Sequence, residues 1–264
     1  MNNKPVVLCF SGHDPTGGAG IQADIEAINS HDCHATAVIT ALTVQDTHNV
    51  RHFECVDTQL LLRQARAVLH DMNISAIKIG MMGSVAIADA IHCLLREYPH
   101  IPVILDPILA AGGGGTLSTF HLIDAVNKLI LPHTYITTPN TIEARMLAGL
   151  DDSATDEMVI KKLAATGVKY VLVTGTHADT HEVQHHLYRS TTHLQTFHYP
   201  RLPDEYHGSG CTLAASLAAL IAKNTDIIHA SQEALDYSYN TLTHAHALGG
   251  GQLIPNRFFW APKK

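Results

Sequence analysis

The chain has little of several things that would have marked its function at once. Its 264 residues hold 5 cysteines, widely separated, odd in number and without a CxxC pair, and only 1 tryptophan. That usage argues against both a disulfide framework and a structural zinc site, and it predicts a reducing, cytoplasmic setting. Charged residues make up only 16%, and no Lys/Arg run appears, so nucleic acid, which demands clustered cations, is not an expected partner. No uninterrupted apolar stretch reaches the roughly 18 residues of a membrane-spanning helix, so no membrane partner is expected either. Met1 to Lys4 and the short apolar run to Phe10 lack the long h-region and cleavage site of a signal peptide. Without a Pro/Ser-rich linker, internal repeat or low-complexity block, residues 1–264 are expected to form a single domain.

What is present is a hydrophobic fraction of 46%, enough for a substantial core and far from disordered compositions. Lys plus Arg number 17 against 24 Asp plus Glu, a formal charge of −7, and there are 20 histidines. About a quarter of unperturbed imidazoles are protonated at pH 7, adding roughly five positive charges and leaving a nearly neutral surface. Solvated histidines that charge as the pH falls through about 6.5 are the expectation.

Short, almost continuously apolar runs read as buried strands: Val6 to Phe10, Ala37 to Leu42, Ala76 to Ile79, Val103 to Leu105, Tyr135 to Thr138 and Val171 to Thr174. Helical patterns lie between them, on Ile21, Ile25 and Ile28, then over Thr58 to Asp71, Val85 to Arg96 and Leu117 to Leu131. Two Ala/Leu-rich helices, Cys211 to Lys223 and Asp226 to Leu248, follow a predicted antiparallel edge at His185 to Tyr188 and Gln195 to Tyr199. Alternating strand and helix predict βαβ units and a mostly parallel sheet covered on both faces.

Ligands bind such sheets beyond the carboxyl ends of the strands, and polar or glycine-rich clusters stand there. His207-Gly208-Ser209-Gly210-Cys211-Thr212 runs into an apolar helix. Glycines before a helix let N–H groups converge, and the helix dipole adds positive potential, which together suit a phosphoryl group. A flexible turn with Cys211 as a small buried residue is the alternative; if Cys211 faces the anion, the helix N-terminus would favour its thiolate and fit it as a base. Gly12 to Gly20 is a further glycine-rich loop, neither a Walker A motif nor a clean GxGxxG, and Gly112 to Gly115 reads equally as flap or loop. Asp106 at a strand end and Glu143 are candidates for Mg²⁺, although Asn140 and Glu143 would serve equally as a helix-capping pair. The histidines show no HExxH and no compact ligand cluster.

Taken in order, Gly12-His13-Asp14-Pro15-Thr16-Gly17-Gly18-Ala19-Gly20-Ile21-Gln22-Ala23-Asp24, Val38 to Thr47, Lys78-Ile79-Gly80-Met81, Leu105-Asp106-Pro107, Thr138-Pro139-Asn140 with Glu143-Ala144, and His207 to Leu213 resemble the hydroxymethylpyrimidine/phosphomethylpyrimidine kinases of the ribokinase-like superfamily. The resemblance runs from about residue 5 to about residue 245. It implies a three-layer αβα sandwich and ATP-dependent, Mg²⁺-assisted phosphorylation of 4-amino-5-hydroxymethyl-2-methylpyrimidine and then of its monophosphate, in thiamine biosynthesis. By position, Gly12, Asp24, Gln45, Met81 and Ile108 would line the pyrimidine pocket, with Gln45 on the aminopyrimidine edge. Gly208, Ser209 and Gly210 would form the anion hole, and Cys211 stands where sugar kinases of the superfamily carry an Asp base. Asp106 and Glu143 match the metal and phosphate neighbourhood, and Asn140 and Thr174 the nucleotide site.

Two positions depart from the family pattern. Val173-Thr174-Gly175-Thr176-His177 stands where many members have Val-Lys-Gly-Gly-His, which removes a cation near the nucleotide phosphates, and His13 replaces a common Thr. A pyridoxal-type kinase of the same superfamily is the nearest rival, and a pyrimidine or metal binder without turnover is a second. A homodimer is expected from the general prevalence of symmetric dimers.

Overall fold

A computed structural model of the chain describes residues 4–109, 120–175 and 181–262. Strand β1 (Val6–His13) pairs in parallel with β2 (His34–Gln45) on one side and β4 (Ile74–Ile79) on the other. The parallel ladder continues from β4 through β5 (Val103–Leu105) and β6 (Ile136–Thr137) to β7 (Tyr170–Thr174). Antiparallel strands close both edges: β3 (Val50–Cys55) beside β2, and the hairpin β8 (Glu182–Arg189) and β9 (Thr192–Pro200) beside β7. The nine-stranded order is β3-β2-β1-β4-β5-β6-β7-β8-β9.

Alternation along β1 divides the core between the two faces. Leu8 and Phe10 point toward α2 (Thr58–Asp71), α3 (Val85–Glu97), α4 (Phe120–Ala125), α5 (Thr141–Ala148) and α6 (Asp156–Ala164). Val7 and Cys9 point toward α1 (Gly20–Ser30), α7 (Ser209–Ala222) and α8 (Ile227–Thr243). A mostly parallel sheet covered on both faces is what the alternation predicts, and the three-layer αβα sandwich is what the family resemblance implies. Every residue of α7 from Cys211 to Ala222 is buried, and its alanines let it lie close against β4, β1 and β5 with α1 and α8 alongside. An all-apolar helix is what burial on every side requires.

The predicted strands and helices are present, with three additions. Edge strand β3 keeps half its residues wet and carries Arg51, His52 and Glu54, so its apolar signal is weak. Helices α5 and α6 are short and mix charges with apolar residues. The helix expected from Leu117 is described from Phe120, passes through a π-helical turn at Val126–Ile130 and ends in a 3-10 turn at Leu131–His133 that contains Pro132. Helix α8 ends at Thr243 rather than Leu248.

Two histidines contradict the expectation of a solvated set. His31 is buried and shares a 2.6 Å hydrogen bond with Ser216 Oγ of α7, and burial pushes its imidazole down to about 4. Burial does the same to His185 on β8, also to about 4.

Candidate active site

The switch point of this sheet lies between β1 and β4, because β1 leads through α1 to β2 on one side while the later strands build on the other. Two loops leave the sheet there, one after β1 and one at Gly80–Gly83 after β4. The first is drawn tight by glycine. Gly20 has φ +60°, and a Cβ on it would stand 2.2 Å from the Gly12 carbonyl oxygen. Gly208, before α7, has φ +79°, and a Cβ there would meet the Gly18 oxygen at 2.0 Å. The two glycine-rich segments found separately in the sequence are therefore one packed unit.

Arg257 locks that unit. Its guanidinium is fully buried and donates to the Thr212 Oγ1 of α7 at 2.9 Å, to the carbonyls of Gly17 and Gly18, and to Glu26 Oε2 at 3.1 Å. A buried charge with this many acceptors is compensated.

The N-terminus of α7 is open. Its N-cap is Gly208, which offers no side-chain acceptor, and the first turn holds no acidic residue. The N–H groups of the first turn thus lack a side-chain cap and the helix dipole is uncovered, a suitable seat for a phosphoryl group. Asp106 faces this end, since a Cβ on Gly210 would lie 3.9 Å from both Asp106 carboxylate oxygens.

Beneath it lies a buried ionic cluster that the sequence reading did not assign. Lys78 Nζ, on β4, is 2.8 Å from Asp24 Oδ1 and donates to Ser11 Oγ at 3.1 Å, while Ser11 Oγ donates to Asp24 Oδ2 at 2.6 Å. Burial lowers the proton affinity of Lys78, but Asp24, Cys211 and Asp106 around it hold it above the ordinary ammonium value. Asp106 is pushed the other way. Burial, then Glu143 and Asp24, outweigh Lys78 and raise its carboxyl to about 7. Its Oδ2 is buried without a hydrogen-bond partner among the described residues.

Cys211, three residues past the N-cap, sits within this cluster. Here the pull of the helix start toward a thiolate is opposed by burial. Burial, with Asp106 and Asp24 beside it, outweighs Lys78 and the Gly20 N–H and pushes the thiol up to about 12, so it is protonated at neutral pH.

The remaining residues fall into place around this centre. Gly12 and Met81 touch, a Cβ on Gly12 lying 3.2 Å from the Met81 sulfur. Ile108 carries φ +33°, an outlier for a β-branched residue, directly after Asp106-Pro107. Gln45 meets His207, with Nε2 to Nε2 at 2.9 Å. Asp24 is completely buried and ion-paired with Lys78. Asn140 bridges to Thr174 across β6 and β7. Glu143 completes the capping box of α5, accepting from the Asn140 N–H at 3.0 Å and the Leu109 N–H at 3.2 Å, so the helix-start alternative holds for this pair. Gly112 to Gly115, Thr176 and His177 lie outside the described residues.

Among the described residues no group of three His, Cys, Asp or Glu forms a ready metal cluster. The buried, unpartnered Asp106 oxygen with Glu143 close by nevertheless fits one hard cation, because oxygen donors and excess negative charge are what Mg²⁺ selects.

Sequence reasoning gave no role to Lys78, Asp14 or Arg257. A lysine inside an apolar strand run was the available signal for the first. Nothing in the local pattern around Arg257 announces its long-range contacts.

Residues 14–256 match the family described as Phosphomethylpyrimidine kinase. A hydroxymethylpyrimidine/phosphomethylpyrimidine kinase of Haemophilus influenzae is 31% identical, covering 99% of this chain and 98% of its own. A phosphomethylpyrimidine kinase structure from Clostridium difficile superposes with a TM-score of 0.79 at 29% identity, covering 90% of this chain and 100% of that one. An ADP complex of Bacillus subtilis pyridoxal kinase reaches a TM-score of 0.89 at 24% identity, over 98% and 99% of the two chains, a likeness of fold. By sequence match across nearly its whole length, the chain belongs to the phosphomethylpyrimidine kinase family.

Proposed function

We propose that this protein transfers the γ-phosphoryl group of ATP to the hydroxymethyl oxygen of 4-amino-5-hydroxymethyl-2-methylpyrimidine, and in a second step to the phosphate so formed, in thiamine biosynthesis. The observation that carries this reading is the uncapped N-terminus of α7 facing Asp106 and packed onto the β1 loop. Phosphoryl transfer asks chiefly for positioning and for stabilisation of charge on the transferred oxygens. The backbone N–H groups of Gly208, Ser209 and Gly210 meet the second need. Gly12, Met81 and Ile108 wall the pocket, Gln45 reads the ring edge, and Asp24 anchors the floor through Lys78. Asn140 and Thr174 flank the nucleotide phosphates, the Asn140 side-chain oxygen being spent on the α5 cap. Asp106 and Glu143 would hold Mg²⁺, which neutralises triphosphate charge when bound.

The two steps differ in what they ask of Cys211. An alcohol must lose its proton as the new P–O bond forms and the bond to ADP breaks. A phosphate monoester is already a nucleophile. Cys211 is protonated at neutral pH, so it would take that proton only as a relay, handing its own to the hydrogen-bonded Asp106 carboxylate, whose carboxyl burial raises to about 7. Cys211→Ala is therefore expected to slow the first phosphorylation at least 10-fold more than the second, within the range of general-base effects. Equal losses in separate assays of the two steps would refute this.

Small-molecule substrates agree with the family, and no helix among the described residues is long and apolar enough to cross a membrane. A cytoplasmic setting rests on the unpaired cysteines, and a homodimer on the prevalence of symmetric pairs. The test is ATP consumption with hydroxymethylpyrimidine, its monophosphate and pyridoxal, each with product masses. Turnover of the two pyrimidines supports the reading. Turnover of pyridoxal alone would move the protein to the vitamin kinases whose fold it shares, and no turnover with intact binding would make it a binder.

A further inference from the structure

His207 is the residue between the β9 edge and the glycines of α7, and its ring does not stay with its own loop. It reaches across to the β1 loop, where Nε2 lies 2.7 Å from Asp14 Oδ2, and to β2, where the same nitrogen lies 2.9 Å from Gln45 Nε2. The ring is wedged over Gly18, whose Cβ, if it had one, would stand 2.3 Å from His207 Cδ2. The side chain is only 14% exposed, and the backbone N–H is spent on the Leu253 carbonyl at 2.9 Å.

One nitrogen facing two partners fixes where the hydrogens are. Asp14 accepts from the Thr16 N–H at 2.8 Å, the Ala19 N–H at 2.9 Å and the Thr16 hydroxyl, the hydrogen-bond set of an ionised carboxylate. A carboxylate oxygen 2.7 Å from Nε2 requires that this nitrogen carry the hydrogen and donate it. The Gln45 atom 2.9 Å from the same N–H then cannot be another donor. It must be the amide oxygen, related to the drawn orientation by the half turn that glutamine amides allow. With the oxygen held by His207, the NH₂ of Gln45 is turned away from it and is free to present a donor to the pocket.

Resting on the pyrimidine-kinase reading above, we infer that His207 is a positioning residue that sets the amide orientation of Gln45 and so makes the pocket select a ring that offers a hydrogen-bond acceptor. It acts through Gln45 and Asp14, without touching substrate. The same contact ties the ring-reading strand to the residue that precedes the anion hole, so pocket and phosphoryl seat are held in one register.

The test is a double-mutant cycle on binding, in the absence of ATP. Wild-type protein is first titrated with hydroxymethylpyrimidine by calorimetry; failure to bind it, or to phosphorylate it, would count against the functional reading and not against the role of His207. Given binding, His207→Ala is expected to weaken it about 10-fold, the scale of one oriented hydrogen bond. Gln45→Ala is expected to cost at least as much, and the double variant little more than Gln45→Ala alone. His207→Gln, whose amide nitrogen can replace Nε2–H, should recover most of the loss. Additive losses, or His207→Ala binding within 2-fold of wild type, would overturn the inference. If His207→Ala loses its thermal transition, His207→Phe fills the space over Gly18 without a donor and is expected to bind as weakly as the alanine variant should. Binding by His207→Phe as tight as wild type would overturn it too. An atomic-resolution structure of the wild-type protein gives a check without any variant: the Gln45 oxygen should face His207, and a nitrogen there sinks the inference.

Discussion

Two helices begin within reach of Asp106, and their N-termini are built in opposite ways. Helix α5 closes its own end: the Asn140 side chain accepts from the N–H groups of Ile142 and Glu143 at 2.9 Å each, and Glu143 reaches back to the Asn140 N–H. Helix α7 begins on Gly208 and has no side chain over its first turn. A helix start can thus be spent on stability or kept for a ligand. On the proposed reading this protein does both, and Asp106 lies between the two ends, beside Glu143 on one side and the Gly210 backbone on the other. On that reading, the closed end would hold a carboxylate near a cation, and the open end would offer N–H donors to a phosphoryl oxygen.

The comparison is broken most severely at Gly208. Its φ of +79° disfavours any side chain, and a Cβ would meet the Gly18 oxygen at 2.0 Å. Gly208→Ala is expected to pull the β1 loop off α7 and to cut kcat/KM by about 100-fold or more, the scale of losing one oxyanion donor. Gly210→Ala is the control, because a Cβ there meets nothing nearer than 3.9 Å. It should melt within a few degrees of wild type while losing turnover, since its methyl enters the phosphoryl seat. A Gly208→Ala enzyme that keeps wild-type kcat/KM would mean that the open end is not used.

How much of this was legible depended on how local the cause was. The open end of α7 is visible in Gly208-Ser209-Gly210 followed by an apolar run, and the closed end of α5 in Asn140 and Glu143 at capping spacing. Both are statements about four or five neighbouring residues. The parallel sheet was legible for a related reason: strands buried on both faces must be apolar throughout. Arg257 and Glu26, or His207 and Gln45, are brought together only by the finished fold. No spacing rule could link Arg257 to Gly17 at a separation of 240 residues. The thiol of Cys211 marks the limit within a legible motif. The helix start favours a thiolate, yet burial beside two carboxylates reverses the sign, and burial belongs to the tertiary structure.

A smaller effect sharpens the comparison at the far side of α7, where His31 Nε2 meets Ser216 Oγ. Burial pushes this imidazole down to about 4, against an ordinary value of 6.5. The unfolded chain therefore binds more protons than the folded one between those values. The stability contributed by neutral His31 is complete above about pH 6.5 and is lost as the pH falls toward 4. Between pH 7 and pH 5 the loss at this one residue is of order 2 kcal/mol. His31→Gln should flatten the fall of unfolding free energy over that window relative to wild type, measured by denaturant titration at each pH. An unchanged slope would mean that His31 is solvated when the protein is free in solution.

The smallest effect is expected at the closed end. Removing an N-cap side chain costs about 1 kcal/mol, and Asn140→Ala leaves Glu143 able to hold the Asn140-position N–H. Stability should fall by about that amount in chemical denaturation, and turnover should fall by less than it does in Gly208→Ala. The reason is geometric. A cap satisfies donors that already belong to the helix, so losing it frays one turn of α5, an element of eight residues that packs on α6 and β7. The glycine start of α7 satisfies nothing until a ligand arrives, so damage there is felt in turnover. If Asn140→Ala abolished turnover at unchanged stability, the cap would be a ligand group, and the distinction between the two helix starts would fail.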